Sequence, residues 1–354
     1  MKLQENQRVS KRFYCSGVVS DRKSSAEIYI MEEIRCILCD EISDQVVIEE
    51  GGYKGRKCQR CNLIYVSPRP SRTEIQNLYM HDRSHTSAQA HISGAMNKRL
   101  YARHNLRIIK KFVKNGSMLE IGAGAGYFLD EGRKKGFEVY GTEFNNVQAD
   151  FIRTKLRIPC EQSALCSSLF NRKEFDIVYH CDVTSHFYDP ITEFININNK
   201  LKDKGFLIFE TGNLGDMKAK YYSFIETFQL PDHLFFFGEN GLKEILKQAG
   251  FDLIKIYRYS ILSQLLAGKM IQRFISRLRV IRHIKSRRKS PDTSMNNMHG
   301  VPPSNVFWFR RLIRNACDYI YYFLRYKVGY VSPKKGRPQT MIIIAQKKVC
   351  GNHC

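Results

Sequence analysis

The N-terminal stretch, residues 1–17, has no apolar segment of the kind a secretory signal needs, so no export signal is expected. No run of roughly 18 uncharged apolar residues occurs anywhere, which leaves no expectation of a transmembrane helix. The nearest approach, 306–324, is broken by Arg310, Arg311, Arg314 and Asp318. These absences point to a cytoplasmic protein, where thiols stay reduced. Eleven cysteines then do not read as a disulfide framework. Acidic residues are also short: 34 Asp+Glu against 57 Lys+Arg give 354 residues a formal charge of +23. That sign imbalance points to an anionic partner, a nucleic acid or a membrane surface. An apolar fraction of 43% is enough to bury a sizeable core, which excludes a disordered chain. The length suits two domains, or one large domain with additions.

Four of the cysteines are spaced for a metal. Cys36-x-x-Cys39 and Cys58-x-x-Cys61 are separated by eighteen residues. Each pair sits on a tight turn, so four sulfurs can converge on one Zn²⁺ in a closed, tetrahedral, structural site. Between the pairs, 45–50 reads as a strand, Gly51-Gly52 as a turn and 53–57 as the returning strand. A ribbon this small has little core, so the metal would supply its folding energy.

Further on, 117–121 reads as a short buried strand, followed at once by Gly122-Ala-Gly124-Ala-Gly126 and a helix over 127–135. A second strand, 137–142, ends at Glu143, and a helix follows over 145–156. Glycines let backbone approach a ligand closely, and the helix start offers free N–H groups. The acid after the second strand can accept both hydroxyls of a ribose. The spacing is G-x-G-x-G preceded by Glu120, which argues against a dinucleotide.

The run from Leu119 through Glu120, Gly122, Gly124 and Gly126 to Phe128 resembles the first motif of class I S-adenosylmethionine-dependent methyltransferases. The resemblance continues in the strand 175–181 and its sequel Asp182 to Pro190, where Thr184-Ser185 stand in place of the usual Leu-Glu. It continues again in Pro231-Asp232-His233-Leu234, in a helix over 239–248 leading to Phe251, and in a last strand over 340–345. It also takes in the cysteine segment, which runs into Ser67-Pro68-Arg69-Pro70. Similar segments occur in methyltransferases of bacterial sugar and polysaccharide biosynthesis, where they help to shape the acceptor site. The resemblance implies an α/β, Rossmann-like fold: a mostly parallel sheet with an antiparallel last strand, a small N-terminal zinc ribbon and a helical basic insertion before that last strand. It implies a glycine loop around the methionine end of S-adenosylmethionine, Glu143 on the ribose, and an Asp182 that touches the cofactor or caps the next helix.

Oxygen or carbon acceptors need a base, and histidine is suited to that near neutral pH. His186 and His233 fall after strand ends, where this fold opens its cleft. The sugar C-methyltransferases that the chain resembles use a Glu-His pair, so Asp232-His233 is read as its counterpart.

The expected organisation is a tail (1–33), the ribbon (34–70), a helical connector (71–115), the methyltransferase domain (116–259 and 338–348), an insertion (260–337) and a second tail (349–354). The charge is concentrated late: residues 255–348 hold 21 Lys+Arg and 2 Asp+Glu. Apolar residues from Ile261 to Ile281 recur at helical spacing with Arg and Lys between them, 290–304 reads as a linker, and a second, aromatic-rich helix follows. Three readings of 260–326 stay open: packing over the cleft, lying on an anionic membrane, or contacting nucleic acid, the last ranked below the others because no RNA-module motif is present. The functional expectation is methyl transfer to a sugar or glycan-type acceptor. The alternatives are an RNA methyltransferase whose knuckle grips RNA, and a non-catalytic zinc-ribbon binding protein.

Overall fold

The computed structural model describes residues 12–13, 31–80, 87–163, 170, 173–271, 304–331 and 333–349, with backbone alone at 12–13 and 304–311. Residues 290–303 of the linker expected over 290–304, and most of the basic stretch before it, lie outside the described residues, while Ser304 begins a helix.

The chain begins with strands β1 (Arg12–Phe13), β2 (Met31–Glu32), β3 (Val46–Glu50), β4 (Tyr53–Lys57), β5 (Ile64–Val66) and β6 (Arg69–Pro70). β3 and β4 form the expected hairpin around Gly51-Gly52, and β5 adds to β4. The two cysteine turns share one geometry. In each, the N–H four residues on donates to the first cysteine's carbonyl: Asp40 to Cys36 at 2.9 Å, Asn62 to Cys58 at 3.0 Å. The first cysteine's own N–H donates to the carbonyl five residues on, Glu41 at 2.9 Å and Leu63 at 2.8 Å. The tightness of the turn puts Asp40 and Asn62 at φ 57° and 62°, a region that Asp and Asn tolerate better than other non-glycine residues.

Helix α1 (Arg72–Met80) leads to α2 (Ala88–Ser93) and α3 (Ala95–Ile109). Within the helical connector expected over 71–115, Gly94 separates α2 from α3, and Ser87 caps α2 by accepting from the Ala90 N–H. Then the alternating unit begins: β7 (Gly116–Ile121), α4 (Tyr127–Lys134), β8 (Phe137–Thr142), α5 (Asn146–Phe151), β9 (Cys160–Glu161), β10 (Phe175–Cys181), α6 (Pro190–Asn199) and β11 (Leu201–Gly212). After β11 come β12 (Phe235–Phe236), α7 (Glu239–Gln248), β13 (Phe251–Ser260), α8 (262–271), α9 (Ser304–Phe323) and α10 (Gly329–Val331), and β14 (Gln339–Lys347) closes the fold.

Seven strands make one sheet in the order β13-β14-β11-β10-β7-β8-β9. β7, β8, β9, β10 and β11 pair in parallel, while β14 runs against both β11 and β13. The sheet interior is near-continuous Val, Leu, Ile and Phe, as a sheet covered on both faces requires; Ile342, Ile343 and Ile344 are almost fully buried. Order and direction give the Rossmann-like methyltransferase sheet, with β10 and β7 at its centre, so the C-terminal ends of these strands open the cleft.

The smaller sheet has the order β12-β5-β4-β3. Its β12 comes from the chain after β11 and pairs Phe235 with Tyr65. The cysteine ribbon is thus not a separate appendage, because a strand beside the cleft completes it. Two residues are too few to show a strand period in sequence, so this pairing was not foreseen.

Candidate active site

The glycine loop follows β7. Gly122, Gly124 and Gly126 all have left-handed backbone, φ 64°, 54° and 70°. A Cβ on Gly122 would lie 2.8 Å from Val183 Cγ2, and one on Gly126 2.7 Å from Ile152 Cγ1, so neither position admits a side chain. The loop lines a cavity of about 870 Å³ together with Glu120, Glu143, Asp182, His186, Asp232 and His233. Every cofactor and catalytic residue expected from sequence, apart from Gly126 itself, therefore borders one space.

Glu143 is held by two backbone donors: Gly124 N–H to Oε2 at 2.7 Å and Asn145 N–H to Oε1 at 2.9 Å. Burial raises its carboxyl above the ordinary range, and these amides oppose the rise. Glu120, 5% exposed, has an Oε2 with no hydrogen-bond partner among the described residues. Burial, with Glu143 nearby, pushes its carboxyl well up. A cradle of side-chain-free backbone beside an orphaned buried carboxyl oxygen fits a polar ligand such as S-adenosylmethionine, and the sheet around it implies that cofactor. Asp182, at φ 55°, opens onto the same cavity while its N–H donates to the Glu210 carbonyl at 2.9 Å.

The opposite wall carries both histidines. His233 Nδ1 is 2.9 Å from the Phe228 carbonyl, so Nδ1 carries the proton and Nε2 is the basic nitrogen of the neutral ring. Its ring centroid lies 4.5 Å from that of His186. His186 Nδ1 meets the Tyr79 hydroxyl at 2.6 Å and the Asp232 carbonyl at 2.9 Å. Burial, and then the neighbouring His233, lower the His186 pKa to about 3, so it stays neutral at physiological pH. Asp232 is 3% exposed, and its carbonyl also accepts from Tyr79 at 3.0 Å. Tyr79, on α1, was not foreseen; nothing in its helical spacing marks it, and only the fold carries it to the histidines.

Arg325 was not foreseen either. It follows α9 in a wide helical turn, Leu324–Val328, and lines the cavity. Its Nη2 donates to Glu210 Oε1 at 2.6 Å and to Thr340 Oγ1 at 3.0 Å. Glu210 is fully buried and also accepts from Tyr326 and Asn105. Desolvation pushes its carboxyl up, but Arg325 and these donors outweigh it and hold the carboxyl below its ordinary range. So the end of the insertion does pack over one side of the cleft, through a charge pair whose separation would strand a buried carboxylate.

At the ribbon, the sulfurs of Cys36, Cys39, Cys58 and Cys61 all lie within 4.8 Å of one another. Cys36–Cys61 and Cys39–Cys58 are 3.3 and 3.4 Å apart, near the roughly 3.8 Å of a tetrahedron with 2.3 Å metal–sulfur bonds. Four cysteines from two matched turns are a donor set that could hold a metal ion, and one that suits Zn²⁺. No helix among the described residues is long and apolar enough to cross a membrane.

No curated protein matches the sequence. Among solved structures, a phosphoethanolamine N-methyltransferase from Haemonchus contortus in complex with S-adenosylmethionine matches at 16% identity and a TM-score of 0.45, over 80% of this chain and 62% of that one. An S-adenosylmethionine-dependent methyltransferase from Archaeoglobus fulgidus matches at 21% and 0.42, over 70% and 93%. The cyclopropane synthase MmaA2 from Mycobacterium tuberculosis matches at 16% and 0.43, over 70% and 84%. Likenesses this distant say nothing about substrate. A family model described as a methyltransferase domain matches residues 94–256, the span that holds the glycine loop, Glu143 and both histidines. Residues 94–256 are thus similar to a methyltransferase domain, and they lie on a sheet with the order and strand directions of the Rossmann-like methyltransferase fold.

Proposed function

We propose that the protein transfers a methyl group from S-adenosylmethionine to an oxygen or carbon of a glycan precursor, a nucleotide-linked sugar or a related small metabolite. The observation that carries this reading is the His233–His186 pair facing the glycine loop across one cavity. The bound cofactor supplies an electrophilic methyl on a sulfonium, whose loss leaves a neutral thioether. Gly122, Gly124, Glu120, Glu143 and Asp182 are the residues that would hold it, and Gly126 would keep the loop in the shape they need. His233 Nε2 takes the acceptor's proton, and its Nδ1–H stays on the Phe228 carbonyl as the ring becomes charged. His186 assists by staying neutral, because two imidazolium rings 4.5 Å apart would repel. It also holds the Tyr79 hydroxyl in place, while Asp232 lends its carbonyl to both. The four cysteines would hold Zn²⁺ in a structural role, stiffening the ribbon that β12 joins, two residues from His233.

A cavity of about 870 Å³ is at the upper end of ordinary ligand sites, which suits cofactor and acceptor together. The test is release of S-adenosylhomocysteine from the purified protein across a panel of acceptors, with nucleotide sugars first. Turnover with a sugar-type acceptor is the expected result. Turnover with RNA alone, or cofactor binding without turnover on any sugar, would remove the acceptor assignment.

A further inference from the structure

We propose that α8, α9 and the turn after them form a docking surface for an anionic lipid bilayer. A helix on a protein surface ordinarily buries its apolar stripe and exposes its polar one. Over its described side chains, 312–323, α9 exposes an apolar stripe. Leu312, Ile320 and Phe323 are 51%, 52% and 48% exposed, and Ile313 and Tyr319 beside them are equally open. These positions recur at helical spacing on one face, and Tyr330 and Val331 extend it past the helix end. The inward face is aromatic and hydrogen-bonded instead. Tyr322 accepts from Arg107, and Tyr326 stacks on His104 with centroids 3.9 Å apart while its hydroxyl reaches Glu210. The helix is thus held in place by tyrosines and turns its aliphatic side chains to solvent.

α8 repeats the pattern. Leu266 and Met270 are exposed, and Gly268 lies against the Tyr321 hydroxyl, which puts α8 beside α9. The chemistry around these faces is cationic. Arg314, Lys327, Lys334 and Lys335 are exposed. The sequence joining the two helices, 272–303, holds eight Lys+Arg and one Asp. Aliphatic side chains flanked by positive charge match a bilayer with anionic headgroups, where the apolar groups enter the acyl boundary and the basic ones stay at the phosphates. A second copy of the chain would bring like charges together. RNA offers stacking planes and phosphates but no apolar layer for Leu312, Ile313 and Ile320. No described helix can span a membrane, so the surface lies on the bilayer rather than in it. Phe323 is exposed and Arg325, two residues on, lines the cleft, so the docked edge is continuous with the cavity wall.

The test is sedimentation of the full chain with vesicles of phosphatidylcholine alone or with about a third phosphatidylglycerol. Binding is expected to the second and not to the first, and it should weaken as salt rises. The double substitution Leu312→Glu, Ile320→Glu changes exposed positions and should leave the melting curve intact while cutting bound protein at least about tenfold. Ile195→Glu, at an exposed position on α6, should bind as the unsubstituted chain does. The proposal fails if phosphatidylglycerol vesicles are not bound, or if the double variant binds them undiminished. It also fails if that variant instead converts a dimer to a monomer, or if its lost binding is to single-stranded RNA.

Discussion

The wall proposed for the cofactor and the wall proposed for the acceptor are built in different ways. The cofactor wall is local: Glu120, the three glycines and Glu143 fall within 24 residues and are placed by one strand-turn-helix-strand unit. The acceptor wall is gathered from afar. Tyr79 comes from α1, His186 from the turn after β10, His233 from the chain before β12, and the four-cysteine sheet braces that chain. The first wall depends on backbone shape, the second on several segments staying in register.

If the walls are separable, His233→Ala should lower turnover by roughly 10²–10⁴-fold and leave S-adenosylmethionine affinity unchanged in equilibrium dialysis. Equal loss of both would mean that one unit does both jobs. Stripping the metal, or Cys58→Ser, should act on the same side. Loosening β12 moves His233, and a shift of about 1 Å is enough for about a 100-fold loss of turnover. Metal content by absorption spectrometry and cofactor binding by dialysis separate this from general unfolding. Gly122→Ala is the mirror-image test. A methyl group 2.8 Å from Val183 Cγ2 at φ 64°, on the cavity wall, should cost about 1–3 kcal/mol, a cofactor affinity reduced roughly 10–100-fold, with metal content unchanged.

The smallest effect concerns acid. Burial lowers the pKa of His180 and His186 to about 3 and of His104 to about 4. Their folded values lie below the ordinary 6.5, so the unfolded chain binds more protons between those limits. Stability is therefore full above pH 6.5 and falls as pH drops towards 3–4. His180, fully buried, has no hydrogen-bond partner on either ring nitrogen among the described residues and stacks on Phe209. His180→Phe should remove about 1–2 kcal/mol of the loss between pH 7 and pH 5, read from denaturant melts at both. An unchanged slope would mean that the loss arises in the acceptor wall, at His186, or beneath α9, at His104.

The difference between the walls also explains what could be read beforehand. The strands over 137–142 and 175–181 and the helix over 239–248 are continuous or regular patterns, and they appear at the expected bounds. β14 runs past the expected 340–345 because Gln346 and Lys347 continue the pairing with β11 and β13 without an apolar signal. Nothing near Glu210 in the sequence announces that Arg325, 115 residues later, pairs with it. The insertion's helical and basic character was legible in its spacing. Which face it turns outward was not, because leucine and tyrosine both count as apolar in a helical pattern.

Sequence alone determined the glycine cradle, the acid after β8 and the paired cysteine turns. In each, the requirement acts within a few residues: a left-handed backbone admits little besides glycine, Asp or Asn, and a metal turn needs its two thiols three apart. Tertiary structure alone decided that β12 completes the ribbon, that Tyr79 reaches His186, that His186 is neutral and that α9 shows its aliphatic face. Those outcomes depend on burial and pairing, and burial is a sum over segments that lie far apart in the chain.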